Sequence, residues 1–175
     1  MMSEEYGELT RANGYVTAIM EREVDVSIDA VWEMLSQESE RVKWLAPGTI
    51  DLKQGGRAKL DFKDSYVTVD SEVTACQAPE LLEFSWSNVD EPTRLIRFVL
   101  KSSDVGCKIH LEVNIPEDEV VARSCAGWEA HLTMMQTALA GVPTKFPLDR
   151  FQASRENFDA QLLTLMMAEM EVLRL

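Results

Sequence analysis

Six short stretches of alternating apolar and polar residues lie close together between residues 49 and 115, and one long apolar stripe at helical spacing follows them. That order constrains the fold more than any other feature. TIDL and RAKLDF flank a Gly55-Gly56 turn. YVTVDSEVTACQA puts Val67, Val69, Val73 and Ala75 on one face, and LLEFSWS does the same for Leu82, Phe84 and Trp86. TRLIRFVLK contributes Ile96, Phe98 and Leu100, and CKIHLEVNI contributes Ile109, Leu111, Val113 and Ile115. Period-two segments joined by tight turns read as an antiparallel meander. Along residues 121–139 the apolar positions are Val121, Cys125, Trp128, Leu132, Met135 and Leu139, the spacing of one helix face. Gly141 and Pro143 end it. One face of the sheet must be covered, and this helix is long enough to cover it. A curved antiparallel sheet around a long helix is therefore expected, with room between the two for an apolar small molecule.

Upstream, residues 1–14 are polar and close on an Asn13-Gly14 turn. YVTAIMEREVDVSI then reads as a strand with Val16, Ala18, Met20, Val24, Val26 and Ile28 inward, and Arg22 falls in the same row. Asp29 reads as the N-cap of a helix beginning AVWEML. SQESERVKWL reads as a second short helix, stopped by Pro47-Gly48. After residue 143 a loop leads to a last amphipathic helix from about Ser154 to the end, anchored on Phe158, Leu162, Leu165, Met166 and Leu173. The class is α+β: a domain over residues 15–141, and an extension over 142–175 with one amphipathic helix.

A formal net charge of −13 argues against nucleic acid or an anionic membrane surface as partner, since both require clustered Lys and Arg. MMSEEYGELT is acidic and lacks the apolar core of a signal peptide, and no apolar run approaches a membrane span. Cys76, Cys107 and Cys125 are odd in number and lack CxxC spacing, which reads as reduced, buried thiols in a cytoplasmic protein. His110 and His131 fall on different faces, so no metal triad is expected, and no cofactor motif is present. Gly55-Gly56 leads into a strand rather than a helix, so it reads as a hairpin turn, not a phosphate loop. Ser124 lies two helical turns from His131, about 10 Å by helical rise and too far for direct proton relay. No catalytic constellation is recognisable.

Candidate cavity residues are Arg22, Ser71, Trp86, Phe98, Trp128, His131 and Met135. The aromatics, with Met20, Met134 and Met135, either line a pocket or simply fill the core. Arg22 in an inward row either anchors a ligand carboxylate or phenolate, pairs with a buried acid, or turns outward at a β-bulge. Ser71 is the small polar residue in its strand's inward row. His131 sits one turn from Trp128, as a cavity residue or a hydrogen-bonded core-edge residue, whereas His110 alternates with core residues and faces solvent. Gly127 costs a helix interior about 1 kcal/mol relative to alanine. That cost implies a close neighbour on its flank: the C-terminal helix, a strand edge or a ligand.

EREVDVSIDAVWEML, VKWLAPGTIDLKQGGRAKLDF, APELLEFSW and AGWEAHLTMMQTALAG together resemble the domain shared by bacterial homologues of the activator of Hsp90 ATPase. That family sits within the START/Bet v 1-like (SRPBCC) superfamily. The resemblance covers roughly residues 15–141 and rests on Val31-Trp32, Trp44 ahead of the Gly-Gly turn, the Pro-x-x-Leu before Trp86, and Gly127-Trp128. The chain departs from the pattern at Ile28, where the family often has proline, and in its last thirty or so residues. The resemblance implies the helix-grip fold. It also implies a non-catalytic domain binding an apolar or amphipathic small molecule between sheet and helix. The alternatives are a protein-interaction module acting as chaperone cofactor or stress-response adaptor, or an enzyme like the superfamily's polyketide cyclases. The terminal amphipathic helix is expected to need an apolar partner, such as a second copy of the chain.

Overall fold

The computed structural model describes residues 5–62, 66–87, 90–118 and 120–175. Strands β1 (Glu8–Ala12) and β2 (Tyr15–Val24) precede two short helices, α1 (Ile28–Ser36) and α2 (Glu38–Arg41). Six strands follow: β3 (Gly48–Ile50), β4 (Arg57–Phe62), β5 (Val67–Gln77), β6 (Leu81–Ser85), β7 (Leu95–Ser102) and β8 (Cys107–Pro116). The chain ends in α3 (Val121–Leu139) and α4 (Leu148–Leu173). The eight strands form one open antiparallel sheet in the order β1-β2-β8-β7-β6-β5-β4-β3. The first long strand thus meets the last, with Tyr15 opposite Pro116 and Val24 opposite Cys107.

The alternating segments bury the rows expected of them. Leu82, Phe84, Ile96, Phe98, Leu100, Ile109, Leu111 and Val113 form the inner face, and Val121, Cys125, Trp128, Leu132 and Met135 of α3 press onto it. The thiol of Cys125, walled in by this packing, has its pKa pushed up to about 12. Cys107 is buried as well, but Cys76 is only half-buried; all three are free thiols.

Several local expectations are corrected. Residues 8–12 form β1, because the Asn13-Gly14 turn folds them back onto β2, Glu8 opposite Ile19; the polar composition of this edge strand hid it. β2 stops at Val24, and α1 starts at Ile28 with Ser27 as its cap, the Oγ accepting from the Ala30 amide at 3.2 Å. Asp29 sits inside the first turn. On β5 the register shifts between Val73 and Ala75. Val69, Ser71 and Val73 are the buried row, while Val67 is 48% exposed. α4 begins at Leu148, six residues before the expected start, since Pro147 presets the entry to the first turn.

α1, α2 and the following loop close one end of the sheet–helix sandwich. The Trp44 indole is buried there, donating to the Met34 carbonyl at 2.8 Å and meeting Phe98 edge-on at 6.0 Å. Arg41, also buried, donates to the carbonyls of Leu35 and Gly48. Gly48 has φ +131°, and a side chain there would collide with the Lys59 carbonyl 1.9 Å from its Cβ; only glycine fits.

α4 belongs to the same core. Phe158 is fully buried, with Leu162 and Leu165 packed partly beneath the helix. Gln161 accepts from the Leu9 amide and donates to the Gly7 carbonyl, each at 2.9 Å, so the helix lies along the free edge of β1. Met166 and Leu173, expected as anchors, are 49% and 86% exposed. Their row lies about 60° around the helix from the centre of the Phe158–Leu165 face.

Candidate functional site

α3 spends its most buried stripe on the sheet and leaves one flank, Ser124, Gly127 and His131, beside an open groove. Across from that flank stand Phe62 of β4, Val69 of β5 and Trp86 just beyond β6. Trp128 forms the floor. Its ring meets Trp86 edge-on at 4.9 Å, and Trp86 meets Phe62 at 5.2 Å. Glu91, Arg94 and Arg123 rim the opening, and Arg94 pairs with Glu91 at 3.3 Å and Asp118 at 3.4 Å. The groove encloses about 590 Å³, within the size range of small-molecule sites. A depression of about 720 Å³ on the solvent face of the sheet is larger, but it is lined by Glu21, Glu23, Arg97, Lys101, Lys108 and Glu112. Its alternating charges are what an exposed sheet face carries.

Gly127 takes its place from this geometry. An ideal Cβ at residue 127 meets nothing within 4 Å. The C-terminal helix does not approach there, so the expected close helix contact is not made; the missing side chain opens the groove instead.

His131 is fixed by one hydrogen bond. Its Nδ1 lies 2.7 Å from the Trp44 carbonyl, which can only accept, so Nδ1 carries the proton. The rings of Trp128, Phe62 and Phe146 surround it at 6.1, 6.3 and 6.1 Å. Burial pushes its pKa below the ordinary 6.5, against the Trp44 carbonyl's opposing pull. His110 moves the other way. Burial lowers its pKa, but hydrogen bonds to Glu21 at 2.9 Å and Glu112 at 3.0 Å more than offset that and raise it above 6.5. A proton NMR titration of the two imidazoles should resolve one midpoint below 6.5 and one above it. His110 therefore stabilises the fold at acid pH and loses that contribution as pH rises through its raised value; His131 penalises the fold increasingly as pH falls below 6.5. Two coincident midpoints near 6.5 would contradict both environments.

Arg22 follows the second of its three readings: it pairs with a buried acid. Its Nη2 donates to Glu129 Oε1 at 2.6 Å and its Nε to Gln136 at 3.0 Å. Glu129 is on α3, completely buried, and also receives Arg150 of α4 at 2.6 Å. Desolvation lowers the Arg22 pKa and the Glu129 charge raises it in opposition. The triad ties β2, α3 and α4 together, away from the groove. Of the other cavity candidates, Trp86, Trp128 and His131 meet at the groove. Phe98 and Met135 are fully buried in the packed core. Ser71 is buried with its Oγ 3.5 Å from the Ala58 carbonyl. Sequence reading missed Phe62, Arg94 and Arg123 as groove residues, Glu129 and Gln136 as Arg22's partners, and Arg150 as the second cation on Glu129. Glu129 carried a signal: Arg22 sits in the inward row and needed an acid facing it.

Among the described residues no group of three or more His, Cys, Asp and Glu side chains is placed to hold a metal ion, and no helix is long and apolar enough to cross a membrane. Residues 25–140 match the profile of the activator of Hsp90 ATPase homolog 1-like proteins. The chain belongs to this family. Comparison of the activator homolog-like chain with curated proteins finds no match. Solved structures share its fold. CalU16 from Micromonospora echinospora superposes with TM-score 0.72 at 19% identity, covering 88% of this chain and 94% of its own. EF2215 from Enterococcus faecalis, a conserved protein of unknown function, superposes with TM-score 0.74 at 16% identity, covering 93% and 94%. DynU16, described as a putative protein in the dynemicin biosynthetic locus, gives TM-score 0.64 at 21% identity, covering 75% of this chain and 49% of its own. These likenesses establish the helix-grip architecture of this family member.

Proposed function

We propose that the chain binds an apolar or amphipathic small molecule in the groove between α3 and the β4–β6 side of the sheet. The observation that carries this reading is Gly127. A helix interior gives up about 1 kcal/mol relative to alanine there, yet no atom lies within 4 Å to require the missing side chain. The space left open is walled by Phe62, Trp86, Trp128 and His131 and rimmed by arginines. Binding is favoured over catalysis because, among the described residues, the only hydrogen bond His131 makes is to a backbone carbonyl, with no nucleophile or acid bonded to its ring.

A second observation concerns partners. Leu163, Met166, Met167, Met170 and Leu173 are each between 49% and 86% exposed on α4. They fall at heptad spacing, the pattern of a helix–helix seam. The chain exposes 10131 Å², roughly 1,500 Å² more than the ~8,600 Å² of a compact monomer of 19.8 kDa. A standard dimer covers about 800 Å² per partner. We infer that a second copy packs on this stripe.

One experiment reads both. A native mass spectrum of gently purified protein should show an excess mass, lost on denaturation, and a species at twice 19.8 kDa. In Gly127→Leu the excess mass should vanish, while the helix gains up to about 1 kcal/mol in stability. In the Met166→Glu/Met170→Glu double variant the dimer should vanish with the circular dichroism unchanged. Wild-type protein with a clean chain mass would count against the groove, and a monomer at 100 µM would overturn the dimer.

A further inference from the structure

We propose that the groove selects an aromatic ligand bearing a hydroxyl or N–H donor, a phenol being the simplest case, which His131 Nε2 accepts. This rests on the groove being the binding site and names the chemistry it reads. Nδ1 is committed to the Trp44 carbonyl at 2.7 Å, which makes Nε2 of the neutral ring a bare acceptor. Nε2 has no partner among the described residues and is not one of the sealed, orphaned polar atoms. It is therefore an accessible acceptor on the groove wall.

The ring's surroundings keep it neutral. Aromatic faces and a backbone carbonyl flank it, no carboxylate among the described residues bonds to it, and burial depresses its pKa. Among the described residues the charged groups of the same groove are Glu91, Arg94 and Arg123, all on the rim, with Arg94 held by Glu91 and Asp118. A ligand that slides between Trp86 and Gly127 displaces solvent from Nε2. If it brings a donor, the bond is replaced; if it does not, an acceptor is left unpaired in an apolar wall. Leaving such an acceptor unpaired is the costly half of hydrogen-bond energetics. Polar groups of this kind discriminate between ligands more sharply than apolar walls do.

The test is an NMR titration of the full chain with 1-naphthol and with its methyl ether, 1-methoxynaphthalene, following the indole and imidazole resonances. Naphthol should bind at least about tenfold more tightly, since an unpaired buried acceptor costs on that order. His131→Asn retains an N–H at the Nδ1 position for the Trp44 carbonyl and deletes the acceptor. It should hold the melting temperature and bring naphthol down to the affinity of the ether. Equal binding of both probes by wild type, with groove resonances shifting, would overturn the donor requirement and leave the groove standing. A naphthol preference that survives in His131→Asn would overturn it too. If neither probe moves the Trp86, Trp128 or His131 resonances, the groove reading fails and this proposal with it.

Discussion

Glu129→Ala is expected to lower the unfolding free energy by about 3–5 kcal/mol, the cost of breaking a buried ion pair from one side. Glu129 is completely buried and receives two guanidiniums, Arg22 at 2.6 Å and Arg150 at 2.6 Å. Removing it leaves two positive charges facing one another, with Arg22 only 11% exposed at its side chain. Glu129→Gln should cost less, because an amide keeps the shape and an acceptor for one arginine. Arg22→Leu should also cost less than the alanine variant, since Arg150 and Thr133 still serve the carboxylate. The opposite ordering, or a Glu129→Ala midpoint in urea equal to wild type, would mean that the carboxylate is solvated and the triad is not the tie between β2, α3 and α4. One oxygen, Oε2, is buried without a hydrogen-bond partner. The triad is therefore not fully satisfied, and replacing all three members by apolar residues of similar volume is the natural stabilising redesign.

Phe158→Ala is expected to cost about 3–5 kcal/mol, as for any fully buried phenylalanine. This prediction separates two views of the last helix. The family match ends at residue 140, which would make α4 an accessory. The structure buries Phe158 completely within the same hydrophobic cluster as Phe84, Phe98 and Trp128. A single cooperative transition shifted to lower urea is the expected result. A wild-type midpoint, or an early transition involving α4 alone, would return the helix to the status of an appendage.

The sheet and its central helix were legible because their chemistry is periodic. Every row from Leu82 to Ile115 alternates, and the α3 stripe never breaks. β1 was not legible because an edge strand with one buried residue, Leu9, has no alternation to read. The β5 register shift was not legible either; apolar residues continue through Val73 and Ala75, and only pairing with β6 reveals the extra residue. At the site, the sequence picked out Trp86, Trp128 and His131 by stripe and flank. It placed Phe98 and Met135 with them because a stripe cannot say where its helix stops touching the sheet. Gly127 was expected to have a close neighbour on its flank, but a Cβ there meets open space, and sequence cannot distinguish a gap from a close contact. Arg22 announced that it needed a partner; which acid answered depended on the rotation of α3.

The side-chain amide of Gln161 bonds β1 at both Gly7 and Leu9, in the manner of a neighbouring strand. During synthesis Gln161 emerges 152 residues after Leu9, so β1 waits unguarded until that part of α4 is made. A fragment cut to the family match at residues 25–140 would lose β1, β2 and α4 together. It would leave β8 as the raw margin of the sheet, and open margins of that kind recruit strands from other chains. Aggregation of such a fragment would report the loss of an edge guard rather than a defect in the groove.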